Sequence, residues 1–425
     1  MALSGLKGRF INPIRQNEVL LIVSVSTMLV MLGQGIVGPI LPLFAKSLGV
    51  SAAAVGLTLS AFAVGRMFLN IPSGLAADRW GRRVLLIGGP FITGLGSILS
   101  GTATNLEILL LWRFVAGVGS ALYMTGAIIV VTDIATDANR GRMLAVNQGA
   151  LLAGVTIGPA VGGIVAELMG LRAPFYVVGV AAVIAGVWNW VRVPETRPAV
   201  AAAPPSPAPG EVPLAKAKGG MASALTLLLS MNFLLISLVN FAVFFGRSGR
   251  QTVLPLFADA HIGLGEGAIG LVFALMAGMN LLLIIPAGMM IDRVGVKATI
   301  LPSALLSLVG FSLVAATDTV LPFVLATMVL GVGSGLLGPA PAAYAAQIAP
   351  ADRRGAAMGL FRSLGDVGFV IAPPLVGYLV DEAGYGIAIV LNGVMLAASA
   401  VIFVAFAGKK RISSATAPAP SANVP

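Results

Sequence analysis

Twelve apolar runs, most of them about 20 residues or longer, occupy most of this chain: 18–45, 52–76, 84–103, 106–134, 142–168, 173–192, 222–257, 265–290, 298–316, 319–348, 356–381 and 385–407. A run of that length is enough to cross the hydrocarbon of a bilayer. Backbone in lipid must satisfy its own hydrogen bonds, so each run reads as a helix. Spans four, seven and ten are long enough to tilt or to project past the bilayer. Only 10% of residues are charged, against about 25% in an ordinary soluble domain. The fold class predicted is an all-α integral membrane protein of twelve transmembrane helices. The apolar run after the basic N-terminal segment is too long for the core of a signal peptide and reads as the first span.

The charges give the expected orientation. Of 26 lysines and arginines, nineteen fall on one side: Lys7, Arg9, Arg15, Arg79, Arg82, Arg83, Arg140, Arg142, Arg192, Arg197, Lys216, Lys218, Arg293, Lys297, Arg353, Arg354, Lys409, Lys410 and Arg411. Lys46 and Arg172 alone fall on the other. By the positive-inside rule both termini lie in the cytoplasm, as an even number of spans requires. The Ala- and Pro-rich loops suggest a bacterial inner membrane. The net charge of +10 is spread over short loops, which excludes nucleic acid as the expected partner. With no cysteine in the chain, disulfides, thiolate metal sites and cysteine nucleophiles are excluded. A single histidine, His261, in an outer loop and the lack of a phosphate-binding loop argue against an enzyme. No cofactor or metal is expected.

The domain plan predicted is a cytoplasmic segment 1–17, a six-helix half 18–198, a Pro/Ala-rich cytoplasmic linker 199–220, a second six-helix half 221–408 and a tail 409–425. A linker of that composition cannot form a packed core. The halves are related. "IPSGLAADRWGRR" at 71–83 recurs as "IPAGMMIDRVGVK" at 285–297, an offset of 214. The same offset carries "GVGS" at 117–120 onto 331–334, Arg140-Gly141 onto Arg354-Gly355 and Pro159 onto Pro373. "PLFA" at 42–45 returns at 255–258, one residue short of that register. Two parallel six-span copies place a substrate site between the halves, near the middle of the membrane.

These motifs carry a resemblance. "GLAADRWGRR" (74–83) between spans two and three, "RFVAGVG" with Arg113, Gly117 and Gly119 in span four, and "GVTIGPAVGG" with Gly154, Gly158, Pro159, Gly162 and Gly163 in span five resemble the major facilitator superfamily over nearly the whole chain. The span-five motif resembles that of its twelve-helix drug:proton antiporter branch. The resemblance implies two pseudo-symmetric halves around a central cavity and transport by alternating access. It also implies that Asp78 latches onto the N-terminus of span eleven, near Gly355, that Arg113 takes part in proton transfer, and that the span-five motif controls leak through the cavity.

The residues can be read further on their own. Gly74 allows a close helix approach. Asp78, ending span two, is either such a latch on a helix N-terminus or, with Arg79, Gly81, Arg82 and Arg83, a topological anchor. Asp292 and Arg293 repeat Asp78 and Arg79 in the second half. Arg82 maps onto Val296 and Asp133 onto Gln347, a paired loss that predicts contact between Arg82 and Asp133. Gly154, Gly158 and Gly162 share one helix face and suit close packing. Five arginines remain inside spans: Arg66, Arg113, Arg247, Arg250 and Arg362. Each costs about 2.5–3.5 kcal/mol at the bilayer centre, so together on the order of 15 kcal/mol if unpaired. They must face a wet cavity or find partners. The expected cavity-lining set is Arg66, Arg113, Arg247, Arg250 and Arg362, with Asn280, onto which Arg66 maps, and Gln34, which aligns with Arg247; the resemblance implies that spans one and seven line the cavity. Arg362 and Asp366 share a helix face and form either an internal ion pair or a proton site. Asp366, Asp133 and Arg113 are the proton-coupling candidates.

The leading functional expectation is proton-coupled efflux of a small organic molecule or drug. The second is proton-coupled uptake of an anionic metabolite of the carboxylate type, since Gln34 stands in span one and the inward arginines favour negative charge. A non-transporting receptor is the reading from another class. The partners expected are a small-molecule substrate, protons and the lipid bilayer, with the protein acting as a monomer.

Overall fold

The computed structural model describes residues 18–136, 139–196, 230–349 and 354–408. The expected N-terminal segment, linker and tail, with Arg197 and Arg353, lie outside them. The described residues are helical throughout their elements, without strands. The helices are α1 (Glu18–Ser47), α2 (Ala52–Trp80), α3 (Arg82–Gly101), α4 (Leu106–Asp133), α5 (Arg140–Met169), α6 (Ala173–Arg192), α7 (Met231–Ala260), α8 (Glu266–Val294), α9 (Val296–Ala315), α10 (Val320–Leu337), α11 (Ala340–Ile348) and α12 (Arg354–Phe406). Helices α1 to α9 correspond to the first nine spans.

The tenth span is broken at Gly338-Pro339 into α10 and α11, because Pro339 and Pro341 bring no backbone donor to a continuing ladder. Helix α12 holds spans eleven and twelve. Gly384, at φ 81° and ψ 171°, divides it. Helix α2 runs on to Trp80, four residues past its apolar run. Asp78 and Arg79 are exposed at that end, where long polar side chains reach the interface. Gly81 then stops the helix at φ 98°, and Gly295 does the same at φ 90° in the second copy. Both turns need a backbone conformation that costs glycine little.

Helix pairings repeat between the halves. Helix α1 packs on α5 as α7 packs on the first part of α12. The α2–α4, α3–α4 and α3–α6 contacts recur as α8–α10, α9–α10 and α9–α12. The α1–α5 contact is backbone on backbone. A Cβ on Gly158 would stand 2.5 Å from the Gly35 Cα, and one on Gly162 would stand 2.3 Å from the Ile36 carbonyl oxygen. Apolar side chains gain little by associating in lipid, so small residues that admit close van der Waals packing carry such interfaces.

Two broad seams join the halves, α2 with α12 and α5 with α8, beside a smaller contact of α1 with α7. Both seams lie toward the face opposite the basic loops. A Cβ on Gly56 would fall 2.2 Å from the Pro373 carbonyl oxygen, and one on Gly377 would fall 2.1 Å from that of Ala52. Residue for residue at the offset of 214, a Cβ on Gly270 would fall 2.3 Å from the Pro159 oxygen, and one on Gly163 would fall 2.5 Å from the Glu266 oxygen. At the basic ends of α2 and α8, nothing lies within 4 Å of the corresponding positions on Gly74 and Gly288. The close approach that Gly74 would permit is not made in this structure.

Gly158→Leu should force α1 from α5 and lower stability by about 1–3 kcal/mol. Gly278→Ala, with open space at its Cβ position, should leave stability unchanged or raise it slightly. Thermal unfolding of the two variants in detergent tests the contrast.

Candidate functional site

The structure brings the charged residues into two assemblies. The first is at the basic face. Arg82 opens α3 directly after the Gly81 turn, which points its guanidinium back along the end of α2. Its Nε donates to Asp133 Oδ2 at 3.2 Å, and its Nη1 donates to the Ala77 carbonyl oxygen at 3.1 Å. Its Nη2 lies 3.2 Å from Asp78 Oδ1. Thr196 donates its hydroxyl to the same Asp133 oxygen at 3.3 Å. Arg82 thus ties the ends of α2 and α4 together, and Asp133 serves this tie far from the centre of the membrane.

Glu195 completes the assembly. Its carboxylate accepts from the Arg82 and Arg83 backbone N–H groups at 2.9 and 3.2 Å, covering the N-terminus of α3 as an acid should. Arg83 donates to the Trp190 carbonyl oxygen at 2.6 Å, and its repeat mate Lys297 donates to that of Ala407. Each cation satisfies a free carbonyl at the end of the sixth helix of its half. Asp78 is otherwise open, its side chain 71% exposed. Among the described residues it meets Arg82 and no backbone N–H of span eleven. Asp292 and Arg293 are exposed at the end of α8.

The second assembly lies midway along the helices and joins the halves. Arg66 of α2 stands 3.6 Å from Asp366 of α12, and its guanidinium lies over the Phe369 ring at 5.7 Å. Arg362 and Arg247 are near enough to act electrostatically on Arg66. Guanidinium groups from α2, α7 and α12 therefore share this region, and that of Arg66 pairs with the Asp366 carboxylate. Asp366 shares a helix face with Arg362 but pairs with Arg66 of the other half. The pair is part-buried, with side chains 25% and 10% exposed, so its attraction is only weakly screened.

The remaining candidates spread outward. Arg250 donates to Ser334 Oγ at 3.3 Å, Ser334 donates to Asn280 Oδ1 at 3.1 Å, and Asn280 donates to the Met276 carbonyl oxygen at 2.7 Å. This relay ties α7, α10 and α8, with the Arg250 Nε left buried and without a partner. Arg113 is buried in the first half, its guanidinium 4.7 Å from the Phe62 ring centre and its Nε also without a partner. Gln34 donates to Ser120 at 3.2 Å. In the α5 motif, Gly154, Gly158 and Gly162 face α1, whereas Pro159 and Gly163 face α8 of the other half. A buried network without charge also crosses the first half: Thr27 donates to Asn147 Oδ1 at 2.9 Å and bonds the Tyr123 hydroxyl at 2.9 Å.

Two six-helix halves, meeting through an ion pair inside the membrane and parted at one face, define a secondary transporter of the alternating-access kind rather than an enzyme. The sequence agrees. It matches the Major Facilitator Superfamily over residues 23–259 and 236–424, and the chain belongs to that family. It is 25% identical over 368 residues to an MFS-type transporter of Methanocaldococcus jannaschii, covering 85% of this chain and 91% of the relative. It is 26% identical over 374 residues to multidrug resistance protein 2 of Bacillus subtilis, covering 87% and 90%. Among solved structures, a bacterial homologue of the human lysosomal transporter Spinster superposes with a TM-score of 0.78 at 16% identity, covering 91% of this chain and 96% of that one. A D-xylose-proton symporter superposes at 0.69, also at 16% identity, covering 91% and 96%.

The tie at the basic face should couple charges across helices. Arg82→Asp and Asp133→Arg, each made alone, should lose transport activity, and the double variant should recover part of it. Recovery stays partial because Asp78 then faces another acid. Adding Asp78→Asn to the double variant should raise activity further. Flux in vesicles, normalised to folded protein, measures all four.

Proposed function

We propose that this protein exports a small organic molecule in exchange for protons, and that Asp366 carries the proton. The observation that carries the reading is the Arg66–Asp366 pair, 3.6 Å apart and contributed by opposite halves. Protonating Asp366 removes the only acid of the cluster. The attraction between α2 and α12 then falls, and the halves are freer to move. Charge state and conformation are coupled through one bond. The Bacillus multidrug resistance relatives support export. The protein is read as a monomer. The basic face is read as cytoplasmic, in a cell membrane with both termini inside.

The charge balance favours a second reading of the cargo. Arg66, Arg247 and Arg362 outnumber Asp366, and the Arg250 Nε has no partner. An anionic cargo, such as an organic carboxylate, would supply the missing negative charge. It would also fix the sign of coupling. An anion takes Arg66 when a proton takes Asp366, so the two bind together and move in the same direction. This is uptake by symport. A neutral or cationic cargo gains nothing from the freed arginine and is compatible with exchange.

Flux in proteoliposomes under an imposed pH gradient separates these outcomes, with cationic drugs, carboxylates and sugars screened in parallel. Asp366→Asn should abolish gradient-driven accumulation while leaving exchange of labelled for unlabelled cargo. If the variant still accumulates cargo as the parent does, Asp366 is not the proton carrier. Arg250→Gln should weaken an anionic cargo by about tenfold, one charge-assisted hydrogen bond, and a neutral one little. Equal losses would remove the anion reading.

A further inference from the structure

We propose that Asp381 and Glu167 are repeat-related latches that hold the transporter shut on the face opposite the basic loops. Asp381, late in span eleven, reaches the first turn of α2 in the other half. Its Oδ1 accepts from the Ala52 N–H at 2.9 Å and its Oδ2 from the Ala53 N–H at 2.9 Å. Helix α2 has its own cap: Ser51 Oγ accepts from the Ala54 N–H at 3.2 Å. Four N–H groups lack an intrahelical partner at any helix start. Here one is served locally and two by a carboxylate 329 and 328 residues away in the chain. Water would satisfy those two groups if the carboxylate left, so the helix does not need Asp381 in order to form. What the carboxylate adds is a charge-assisted, two-pronged link between halves, aligned with the positive end of a helix dipole.

The second copy gives an independent observation. Adding 214 to Glu167 gives Asp381, and adding it to Ala53 gives Gly267. The Glu167 carboxylate lies against the first turn of α8, its Oε2 1.8 Å from where a Cβ on Gly267 would stand, near the positive end of that helix but, among the described residues, without the hydrogen bonds that Asp381 accepts. The side-chain lengths compensate. Asp381 is the shorter acid and faces an alanine. Glu167 has one more methylene and faces a glycine, whose missing Cβ leaves it room. On both sides the acid sits one turn beyond a glycine, Gly377 or Gly163, that brings the two backbones together. The seams thus hold each carboxylate against a fixed target. In the same structure Asp78, at the other face, meets only Arg82 among the described residues.

The inference rests on alternating access and not on the cargo or the proton, so its test uses neither. The chain has no cysteine, and single-cysteine reporters can be read without background. Ser60→Cys replaces a residue 6% exposed inside the α2–α12 seam and reports opening at the latched face. Gly74→Cys, with open space at its Cβ position, reports closing at the basic face. Maleimide labelling rates of purified protein in nanodiscs are then compared. Asp381→Asn should speed labelling at position 60 by about tenfold, the effect of losing roughly one charge-assisted hydrogen bond, and Glu167→Gln by about threefold, the effect of losing a negative charge at a helix N-terminus; both should slow it at position 74. Combining them should shift the balance further. Asp381→Glu with Ala53→Gly copies the second seam into the first and should restore the parent rates. This second variant also keeps the inference testable if Asp381→Asn fails to fold. Rates at both positions within twofold of the parent in Glu167→Gln and in a folded Asp381→Asn would overturn it, as would a failure of the copied seam to label like the parent.

Discussion

Contact between bare backbones is the constraint on which the rest of this structure depends. In water, two halves of this size could be held by apolar side chains. In lipid that force is nearly absent, and the halves meet where a glycine admits a neighbouring carbonyl. Gly56 against Pro373 and Gly270 against Pro159 fix the separation of the halves at one face. Every charged contact between them inherits that spacing. The Arg66–Asp366 pair lies further along the same α2–α12 seam as the glycine contacts, and the Asp381 carboxylate reaches α2 from its outer end.

Against that fixed frame the charges divide by depth. At the basic face Arg82 has two acids and a carbonyl, and Arg83 has the Trp190 carbonyl with its Nε buried and without a partner. At mid-depth the cations have fewer partners. Arg66 has one acid at 3.6 Å, and the Arg113 and Arg250 Nε atoms have no partner. A protein that only needed to stay folded would replace such groups with apolar ones at little loss. Cations short of partners in a low-dielectric region are costly to keep there.

Much of this was legible in the sequence. Span length and hydropathy depend on composition alone, so twelve apolar runs translate directly into passes through a membrane. The 214-residue register survives because both copies solve the same packing problem. Contact between Arg82 and Asp133 was legible through the paired change to Val296 and Gln347, and the structure has the two side chains 3.2 Å apart. Other partners left no local trace. Asp366 has Arg362 four residues before it, yet its ion pair goes to Arg66, 300 positions earlier in the chain, because only the tertiary arrangement decides which face of α12 meets α2. Glu195, Asp381 and Glu167 look like ordinary loop or helix-end acids. Their roles depend on which helix N-terminus lies opposite. The break at Gly338-Pro339 falls in a run whose hydropathy is continuous, so span counting could not locate it.

The two seams also set the mechanics of the molecule. They are related by the same pseudo-twofold that relates the halves, so they lie to either side of the central axis like a pair of door hinges. While both are closed, as here, they leave one easy motion, a rocking about the line that joins them that opens or closes the basic face; opening the other face breaks both. Sliding one half along the other would drive Gly377 and Gly163 off the carbonyls they face, and twisting would compress one seam while opening the other. The offset of 214 therefore does more than record a duplication. It reduces the relative motion of two large bodies to nearly one degree of freedom, and a single bond made or broken between them can then steer the whole.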